Sequence, residues 1–359
     1  MTPLQALLAF IALCLLCLLL PLLPLLRTLW RGTPRPAPPE QQAEASERVE
    51  EFRRMVHEQF AHLLHLARDS GPIRGANENG RPFIVLGISN HLAELLPPGS
   101  RRLRSLVLAA GHLDIPGELI CDRELFAEGR INVAHNALIK SALSQRDIAI
   151  GRRARVTRWV RTERRLDVAE GGQLKGWASA AMEIALARRA RFEQLRAPRI
   201  VFGRLPEDAR RPRQPDTVAR FDPPLRRNGQ PGNGRNLTVP AGHTVKADLL
   251  VSGKLVVGDG CRIIGDLRAD KSIVIGRDVV IEGAAYADGP ISIGPGCLIN
   301  GPVYSRSEVQ LGAASEIGSS THLSTLVADT LLISEGCIAH GSVWALHHGE
   351  VLDERSPPA

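Results

Sequence analysis

The sequence predicts an all-β protein made of two parallel β-helix arrays, and three observations lead to this prediction. The stretch from Val257 to Tyr304 divides into consecutive hexapeptides, VGDGCR, IIGDLR, ADKSIV, IGRDVV, IEGAAY, ADGPIS, IGPGCL and INGPVY, without a slipped residue. An amphipathic helix would repeat near every 3.6 residues and a strand every 2, so this longer period indicates a solenoid. Aromatic residues make up only 4% of the chain, which suits a narrow core of stacked aliphatic side chains.

The repeating unit is about 18 residues, or three hexapeptides, and forms one coil of the predicted solenoid. Each coil places two inward residues on a short strand and two more on the next strand, after a glycine corner. A fifth inward position follows on the third strand. One coil cannot bury its own apolar face, so neighbouring coils must stabilise it. The inward positions are Leu255, Val257, Cys261, Ile263, Leu267, then Ile273, Ile275, Val279, Ile281, Ala285, then Ile291, Ile293, Cys297, Ile299, Val303.

The chain opens with an apolar stretch that we interpret as a transmembrane anchor within residues 1–35. From Leu4 to Leu26 only Gln5 is strongly polar, which is long enough for one helical crossing. A cleaved signal peptide is the rival interpretation, but it would need a basic start and a shorter apolar run. By the positive-inside rule we expect a single-pass inner-membrane protein with cytoplasmic arrays, because the first basic residues follow the span, at Arg27, Arg31 and Arg35.

Residues 36–80 are predicted to form a linker and an amphipathic helix. Apolar residues recur at spacings of three and four, and Gly71 and Pro72 provide a stop signal. This stripe predicts a packing face against the same protein, while a short coiled coil or a membrane-surface helix stays an alternative. Its members are Val49, Phe52, Val56, Phe60, Leu63 and Ala67.

Residues 81–203 are predicted to form the first array. Its coils begin at steps of 18, 17, 18 and 18 residues, so one corner has lost a residue. Trp159 and Trp177 occupy the same position in adjacent coils, where we expect them to stack as packing residues. The coils begin at Leu113, Ile131, Ile148, Leu166 and Ile184, and the second coil is predicted to turn Leu143 inward.

A linker rich in Pro, Gly and Arg, residues 204–236, separates this array from the second array at residues 237–346. The second array has coils that start every 18 residues from Leu255 to Val309, and then a four-residue insertion before Leu331. Residues 347–359 are predicted to be a disordered tail.

Catalytic and metal-binding motifs are missing from the sequence. It contains no GxxxxGK[ST] phosphate loop, no HExxH and no Cys or His cluster at metal-ligand spacing. The cysteines of the arrays fall in inward columns, which predicts buried, inert thiols in a reducing compartment. We therefore nominate no catalytic residue, metal or cofactor and expect a protein that is not an enzyme.

Three segments resemble the repeats of bactofilins, bacterial polymer-forming cytoskeletal proteins. They are LRAPRIVFG (Leu195 to Gly203), DLRADKSIVIG (Asp266 to Gly276) and ISEGCIAHGSV (Ile333 to Val343). The resemblance implies a right-handed β-helix that joins head to tail into nucleotide-free filaments. It also implies a place beside the membrane, where the filaments organise cell-shape or cell-wall enzymes.

This chain departs from the family's usual plan of one compact array, because it has two arrays and an apolar N-terminal segment. Family members commonly have an aromatic residue in the closing coil. This chain instead has Ala339, with Val343 and Trp344 close by in sequence, and we take these three residues as the candidate assembly end. Open solenoid ends expose unpaired backbone groups, which favours pairing with another copy.

A hexapeptide-repeat acyltransferase, a trimeric left-handed β-helix enzyme, is the alternative. Its third hexapeptides would usually begin with aliphatic residues, whereas this chain has small residues there, among them Ala269, Ala287 and Ser305. Acyl transfer also needs a general base. His340 falls in an outward column that tolerates many residue types, so the sequence does not favour it as that base.

Charge is unevenly distributed between the arrays. Residues 100–203 contain 20 Lys and Arg against 11 Asp and Glu, a net charge of +9, whereas residues 237–346 contain 7 against 11, a net charge of −4. A basic cluster on two successive coils is a candidate contact for anionic lipid or for an acidic partner array, and a solvated face is the alternative. Nucleic acid is not expected, because no aromatic residues alternate with these arginines. The cluster is Arg152, Arg153, Arg155, Arg158, Arg161, Arg164 and Arg165.

Overall fold

A computed structural model describes residues 38–77, 79–88, 91–97, 99–205, 219–220 and 236–353. The chain divides into two compact units, residues 1–48 and 49–359. The described part of the first unit, residues 38–48, is helical. The predicted anchor at 1–35 and most of the predicted linker at 204–236 lie outside the described residues. Within the described ranges, no helix is both long and apolar enough to cross a membrane.

The predicted amphipathic helix is present as three consecutive segments. They are α1 (Pro38–Met55), a π-helical turn (Val56–Phe60) and α2 (Ala61–Ser70). Val49, Phe52, Val56, Phe60 and Ala67 are buried as predicted, but Leu64 is buried in place of Leu63. The reason is the π-helical turn, which inserts one extra residue and so moves the apolar stripe by one position.

The first array begins with a β-hairpin and a short helix. Strand β1 pairs antiparallel with β2, and β2 starts the parallel ladders by pairing with β4. Helix α3 (Leu92–Leu95) covers the N-terminal end of the core with Leu92, which is 1% exposed. The strands are β1 (Ile73–Ala76), β2 (Pro82–Leu86), β3 (Arg102–Leu103), β4 (Leu106–Ala109), β5 (Leu113–Ile115), β6 (Ile120–Ala127), β7 (Ile131–Val133), β8 (Leu138–Ser144), β9 (Ile148–Ile150), β10 (Arg155–Thr162), β11 (Arg165–Val168), β12 (Gln173–Ala180), β13 (Glu183–Leu186) and β14 (Arg191–Phe202).

The short corner of the first array lies between Ile139 and Ser141. Two residues lie between Cys121 and Glu124 and between Val156 and Trp159, but only Lys140 lies between Ile139 and Ser141, and the register shifts there. Ala142 is therefore the inward residue of this coil, paired with Leu125 and Val160. The prediction that Leu143 points inward was wrong, because the missing residue shifts the alternation by one position.

The second array keeps the 18-residue register with few interruptions. Its strands are β15 (Ala219–Arg220), β16 (Leu237–Val239), β17 (His243–Val245), β18 (Leu249–Val251), β19 (Lys254–Val257), β20 (Arg262–Ile263), β21 (Leu267–Ala269), β22 (Ser272–Ile275), β23 (Val280–Ile281), β24 (Ala285–Ala287), β25 (Ile291–Ile293), β26 (Leu298–Ile299), β27 (Val303–Ser305), β28 (Glu308–Leu311), β29 (Glu316–Ile317), β30 (Ser324–Ile333) and β31 (Cys337–Val351). We call the faces of each coil first, second and third, as in β25, β26 and β27.

Two features of the second array differ from the sequence prediction. The final strand β31 continues to Val351, so residues 347–351 belong to the solenoid and not to a tail. Ala219 and Arg220, inside the predicted linker, pair with His243 and Thr244 of β17. The insertion forms the corner after Ile317, where Ser319 and His322 exchange backbone hydrogen bonds of 2.9 and 3.2 Å.

The predicted all-β solenoid with about 18 residues per coil is confirmed, and the fold has about twelve turns. Inward residues of both arrays form one continuous core, which includes all five predicted inward residues of the coil from Ile273 to Ala285. One corner of most coils contains a residue in the left-handed region, where glycine is favoured. In the second array these residues are Gly242, Gly260, Asp278, Gly296, Ala314 and Gly336.

Candidate interaction surfaces

The two arrays meet at their C-terminal coils, in a contact that we call the joint. Strand β14 of the first array pairs antiparallel with β31 of the second over nine residue pairs, from Arg191↔Glu350 to Phe202↔Cys337. Backbone hydrogen bonds form at the corners of the joint. The amide of Arg189 donates to the carbonyl of Val351 (2.8 Å), and the amide of Gly336 donates to the carbonyl of Phe202 (2.7 Å). The ends that a solenoid must protect therefore cover each other within one chain.

The residues predicted as an assembly end lie inside this joint. Ala339 pairs with Ile200, Val343 with Leu195, and Trp344 with Gln194. All three are at most 2% exposed. An assembly contact through this coil would need the joint to open, so the predicted assembly end is corrected to an intramolecular one. The sequence repeats gave no signal for this pairing, because ladders between antiparallel coils do not follow the 18-residue spacing.

Side chains of the joint are packed closely and held by polar contacts. Phe192 and Phe202 lie with ring centroids 5.8 Å apart. The buried imidazole of His340 contacts the carbonyl oxygen of Pro198 through Nδ1 (2.9 Å) and Oε1 of Glu316 through Nε2 (2.8 Å). His340 thus links the two arrays. His340 points away from the core, as predicted, because its neighbour Ala339 faces the core, but the expectation of a tolerant surface position was wrong, since the joint leaves it only 7% exposed.

Ion pairs surround the joint at its rim. Arg191 Nε lies 3.3 Å from Oε2 of Glu350, and Arg189 lies 3.2 Å from the carboxylate of Asp353. Each pair connects the basic first array to the acidic second one. Partly exposed pairs of this kind contribute roughly 0.2–1 kcal/mol each, so their main effect is on register and orientation.

The predicted basic cluster is on the surface, and carboxylates neutralise four of its seven members. Arg152 pairs with Glu170, Arg161 with Glu50 and Glu163, Arg164 with Asp147, and Arg165 with Asp167 and Glu183. The other three, Arg153, Arg155 and Arg158, are exposed and have no ion pair among the described residues. The cluster is therefore much less cationic than its sequence implies, and its contact with lipid or an acidic array stays a prediction.

The amphipathic helix covers the third face of the first array. Phe52 packs on Trp159 with ring centroids 5.4 Å apart, and Phe60 packs edge-on against Phe83 at 5.1 Å. Salt bridges from Arg53 to Glu163 and from Arg68 to Glu128 flank these contacts. Beneath the helix are outward but buried apolar residues that a solenoid face would otherwise expose, namely Leu108, Phe126 and Leu143. The packing interpretation of the helix is confirmed.

The two tryptophans of the first array lie opposite each other in the ladder, as predicted, and both are buried. The column that contains them continues across the joint, because Trp177 pairs with Gln194, and Gln194 with Trp344. In the second array the same column contains Val327, Tyr304, Tyr286, Arg268 and Leu250 in turn.

This column changes from buried to exposed along the second array. Val327 is 5% exposed, whereas Tyr304 is 36%, Tyr286 38% and Leu250 44% exposed. The two tyrosine rings, which belong to the only tyrosines of the chain, are neighbours with centroids 6.4 Å apart. We call Leu250, Arg268, Tyr286 and Tyr304 the tyrosine stripe.

The four cysteines of the arrays are buried and free, as predicted. Burial raises the pKa of Cys121, Cys297 and Cys337 to about 12, and also raises that of Cys261. The thiols of the second array donate to backbone carbonyls, for example Cys297 Sγ to Gly276 O at 3.0 Å. A protonated, buried thiol is a poor nucleophile and a poor metal ligand, so these residues are core residues.

A groove of about 1120 Å³ follows the first face of the first array and reaches the joint. Ala149, Ala185 and Gly151 are among its small lining residues, and Glu170 at its rim contacts both Arg152 (3.5 Å) and Arg188 (3.2 Å). Both arginines that Glu170 contacts are therefore paired within the rim. In the parts of the chain that the structure covers, no three His, Cys, Asp or Glu residues are placed to hold a metal ion.

Comparison of the chain with protein-family models, with curated proteins and with solved structures finds no match.

Proposed function

We propose that this protein is a membrane-anchored, polymer-forming scaffold of the bactofilin kind, which assembles without nucleotide. Its role would be to organise cell-shape or cell-wall enzymes at the cytoplasmic side of the membrane. The observation that supports this proposal is the joint, in which two solenoid ends of this chain associate through a continuous backbone ladder and interlocked side chains. Unpaired backbone groups at the solenoid ends of different copies can form the same kind of ladder.

The joint determines which ends are left for assembly. Both C-terminal coils are used within the chain, so contacts between copies would form at the N-terminal ends of the arrays, which we call heads. At the first head, β1 pairs with β2, and among the described strands it has no other partner. At the second head, β16 pairs with β19 and β18 with β21, again on one side only among the described strands.

The form of the assembly depends on which heads contact each other. Contact between the first head of one copy and the second head of the next makes a filament when the rotation between copies does not close into a ring. Each copy would then have its first head at one end and its second head at the other, and every contact along the filament would join a first head to a second head. Contact between identical heads would instead give a closed pair.

Sedimentation and negative-stain microscopy of the full chain in detergent micelles, over a concentration series without nucleotide, test this proposal. Filaments or sheets that grow with concentration are the expected result. Pairs that do not extend would show contact between identical heads and would contradict the filament. Discrete trimers would favour the acyltransferase alternative, which acyl-donor binding would then check.

A further inference from the structure

We propose that His340 and Glu316 form a proton-dependent latch in the joint, which holds the two arrays together at mildly acidic pH and weakens as the pH rises. The latch belongs to the joint, and it does not depend on the proposed membrane anchor or on the proposed polymer. It would make the contact between the arrays of one chain sensitive to pH.

His340 is buried where strands of both arrays meet. It follows the inward residue Ala339 on β31, so its side chain points away from the core, and the joint leaves that side chain 8% exposed. Nδ1 lies 2.9 Å from the carbonyl oxygen of Pro198 on β14, and Nε2 lies 2.8 Å from Oε1 of Glu316 on β29. The imidazole therefore bridges the two arrays, and it would meet water if the joint opened.

Both partners of this ring are hydrogen-bond acceptors. A backbone carbonyl and an ionised carboxylate have no hydrogen to donate, whereas a neutral imidazole has only one N–H. Two hydrogen bonds therefore require either an imidazolium beside the Glu316 carboxylate or a neutral imidazole that accepts from a protonated Glu316. In both forms the pair binds one proton more than a neutral imidazole beside a carboxylate. The closed joint thus holds one proton.

Loss of this proton from the closed joint would leave two acceptors facing each other. One ring nitrogen would point its lone pair at an oxygen lone pair, in a place that little water reaches, and the hydrogen bond across the joint would be lost. The pair would also keep an uncompensated negative charge, which is unfavourable where it is partly buried. Opening of the joint relieves both effects, because water then solvates the two groups.

The neighbouring charged and titratable side chains are engaged elsewhere. On β14, Arg199 lies 2.6 Å from the carboxylate of Glu183, and Arg196 is opposite Ser342 in the ladder. In the insertion, His322 contacts the adjacent threonine hydroxyl through Nδ1 at 3.0 Å. The proton of the latch is therefore assigned to the pair itself.

The direction of the pH effect follows from counting protons in the closed and open joint. In water a histidine loses its second ring proton near pH 6.5, and a glutamic acid loses its proton near about pH 4.3. Between these values both states of the joint hold one proton, so the contribution of the latch is complete. Above about pH 6.5 the closed joint holds more protons than the open one, and closure becomes less favourable by up to about tenfold per pH unit.

A pH-dependent joint would regulate which coil ends are free for assembly. Opening would expose both C-terminal coils, whose backbone groups could then pair with other copies. This consequence rests on the proposed polymer, whereas the latch does not.

Two buried thiols of the second array can report whether the joint opens. Cys337 lies in the closing coil opposite Phe202 of β14, and Cys297 lies two coils farther from the joint. Burial raises the pKa of both thiols to about 12, so the ratio of their labelling rates cancels the common effect of pH on thiol reactivity. The full chain in detergent micelles would be labelled with iodoacetamide at mildly acidic, neutral and mildly alkaline pH, and mass spectrometry would give both rates.

We expect the ratio of the Cys337 rate to the Cys297 rate to rise at least about threefold between mildly acidic and mildly alkaline pH. In Glu316→Gln the amide can donate to a neutral ring, so the joint stays closed and the ratio should not change with pH. A ratio that is independent of pH in the parent, or equal slopes in the parent and Glu316→Gln, would overturn the latch.

Other histidines of β31 provide matched controls. His348 lies 2.9 Å from Glu350, which pairs with Arg191 across the joint, and the exposed His347 lies 3.3 Å from Asp329. His347→Gln and His348→Gln should keep the slope of the parent, whereas His340→Gln should abolish it. A slope that survives in His340→Gln would contradict the assignment. Labelling measures the joint whether or not filaments form, so failure of the latch is distinguishable from failure of the polymer.

Discussion

Gly349→Ala should destabilise the protein by acting on the joint alone. Gly349 pairs with Phe192 across the joint. A β-carbon at position 349 would lie 2.5 to 2.8 Å from three carbons of the Phe192 ring, which is far inside van der Waals contact. The ring is confined by Phe202, 5.8 Å away between centroids. It therefore has to leave its position or push the two arrays apart.

The size of the effect follows from two opposing contributions. Overpacking in a tightly packed core typically costs about 1–3 kcal/mol. Replacing glycine with alanine in an unstrained strand is by itself stabilising by roughly 0.4–1 kcal/mol, because the unfolded chain loses conformational freedom. The net expectation is a free energy of unfolding lower by about 0.5–2 kcal/mol. Without the joint contact the sign would reverse.

Chemical denaturation of the single variants and of the double variant Gly349→Ala/Phe192→Leu measures this effect. The smaller leucine side chain makes room, so Gly349→Ala should cost much less in the Phe192→Leu background, which a double-mutant cycle detects as coupling. An additive cycle, or a Gly349→Ala variant that is more stable than the parent, would refute the packing described here.

Three further predictions concern the solenoid itself. Ile281→Asp places a charge in the aliphatic core and should lower the free energy of unfolding by at least about 4 kcal/mol, which unfolds the second array. The control Val274→Asp, on the outward side of a strand, should change stability by less than about 0.5 kcal/mol. Equal melting temperatures of the two variants by circular dichroism would contradict the core assignment. Cys297 has a pKa of about 12 in the folded protein and an ordinary value of 9.0, so the unfolded chain releases this proton first as pH rises. The protonated Cys297 thiol therefore contributes its full stabilisation below pH 9.0, and this stabilisation declines toward pH 12 by up to about 1.4 kcal/mol per pH unit. The free energy of urea unfolding should accordingly fall less steeply with pH for Cys297→Ala than for the parent, and equal slopes would contradict the burial of this thiol. Ala314 is exposed with a φ of 56°, so Ala314→Gly should stabilise the protein by about 1 kcal/mol, and a lower melting temperature would contradict this.

The coil architecture could be predicted from sequence because each inward residue is repeated at a fixed spacing. Ile263, Ile281 and Ile299 form one ladder, and the identical environment of each position selects the same residue type. Which residues of a strand face the core is harder to predict where the coil is one residue short. Both Ala142 and Leu143 are apolar, and only the register shift at Ile139 shows which one faces the core.

The helix shows a similar limit. A periodicity of three and four predicted its existence and its apolar face, but the π-helical turn moved the stripe from Leu63 to Leu64. Which surface the helix covers could not be predicted, because the contact between Phe52 and Trp159 joins residues that are distant in sequence. Nothing in the local pattern distinguishes an outward tryptophan that is covered from one that is exposed.

The joint was beyond sequence prediction for a physical reason. A long linker between two arrays predicts separate units when only local composition is considered. Stacking of the two C-terminal coils depends on strand direction and on the fit of side chains such as His340 and Phe192. None of these properties has a periodic signature. The sequence could therefore place Ala339, Val343 and Trp344 in the closing coil, but it could not predict that the first array covers them.

The most direct test of the joint is an engineered disulfide between Arg191→Cys and Glu350→Cys. These residues are opposite each other on β14 and β31, where antiparallel strands place Cα atoms about 4.5–5.5 Å apart, within the range for a disulfide. The pair Arg191→Cys and Ser342→Cys is a control out of register, since Ser342 pairs with Arg196. On mild oxidation of the full chain we expect the first pair to form an intramolecular disulfide and the control pair to stay reduced. Equal reactivity of the two pairs, or disulfides that form only between chains, would contradict the pairing of β14 with β31 in the joint.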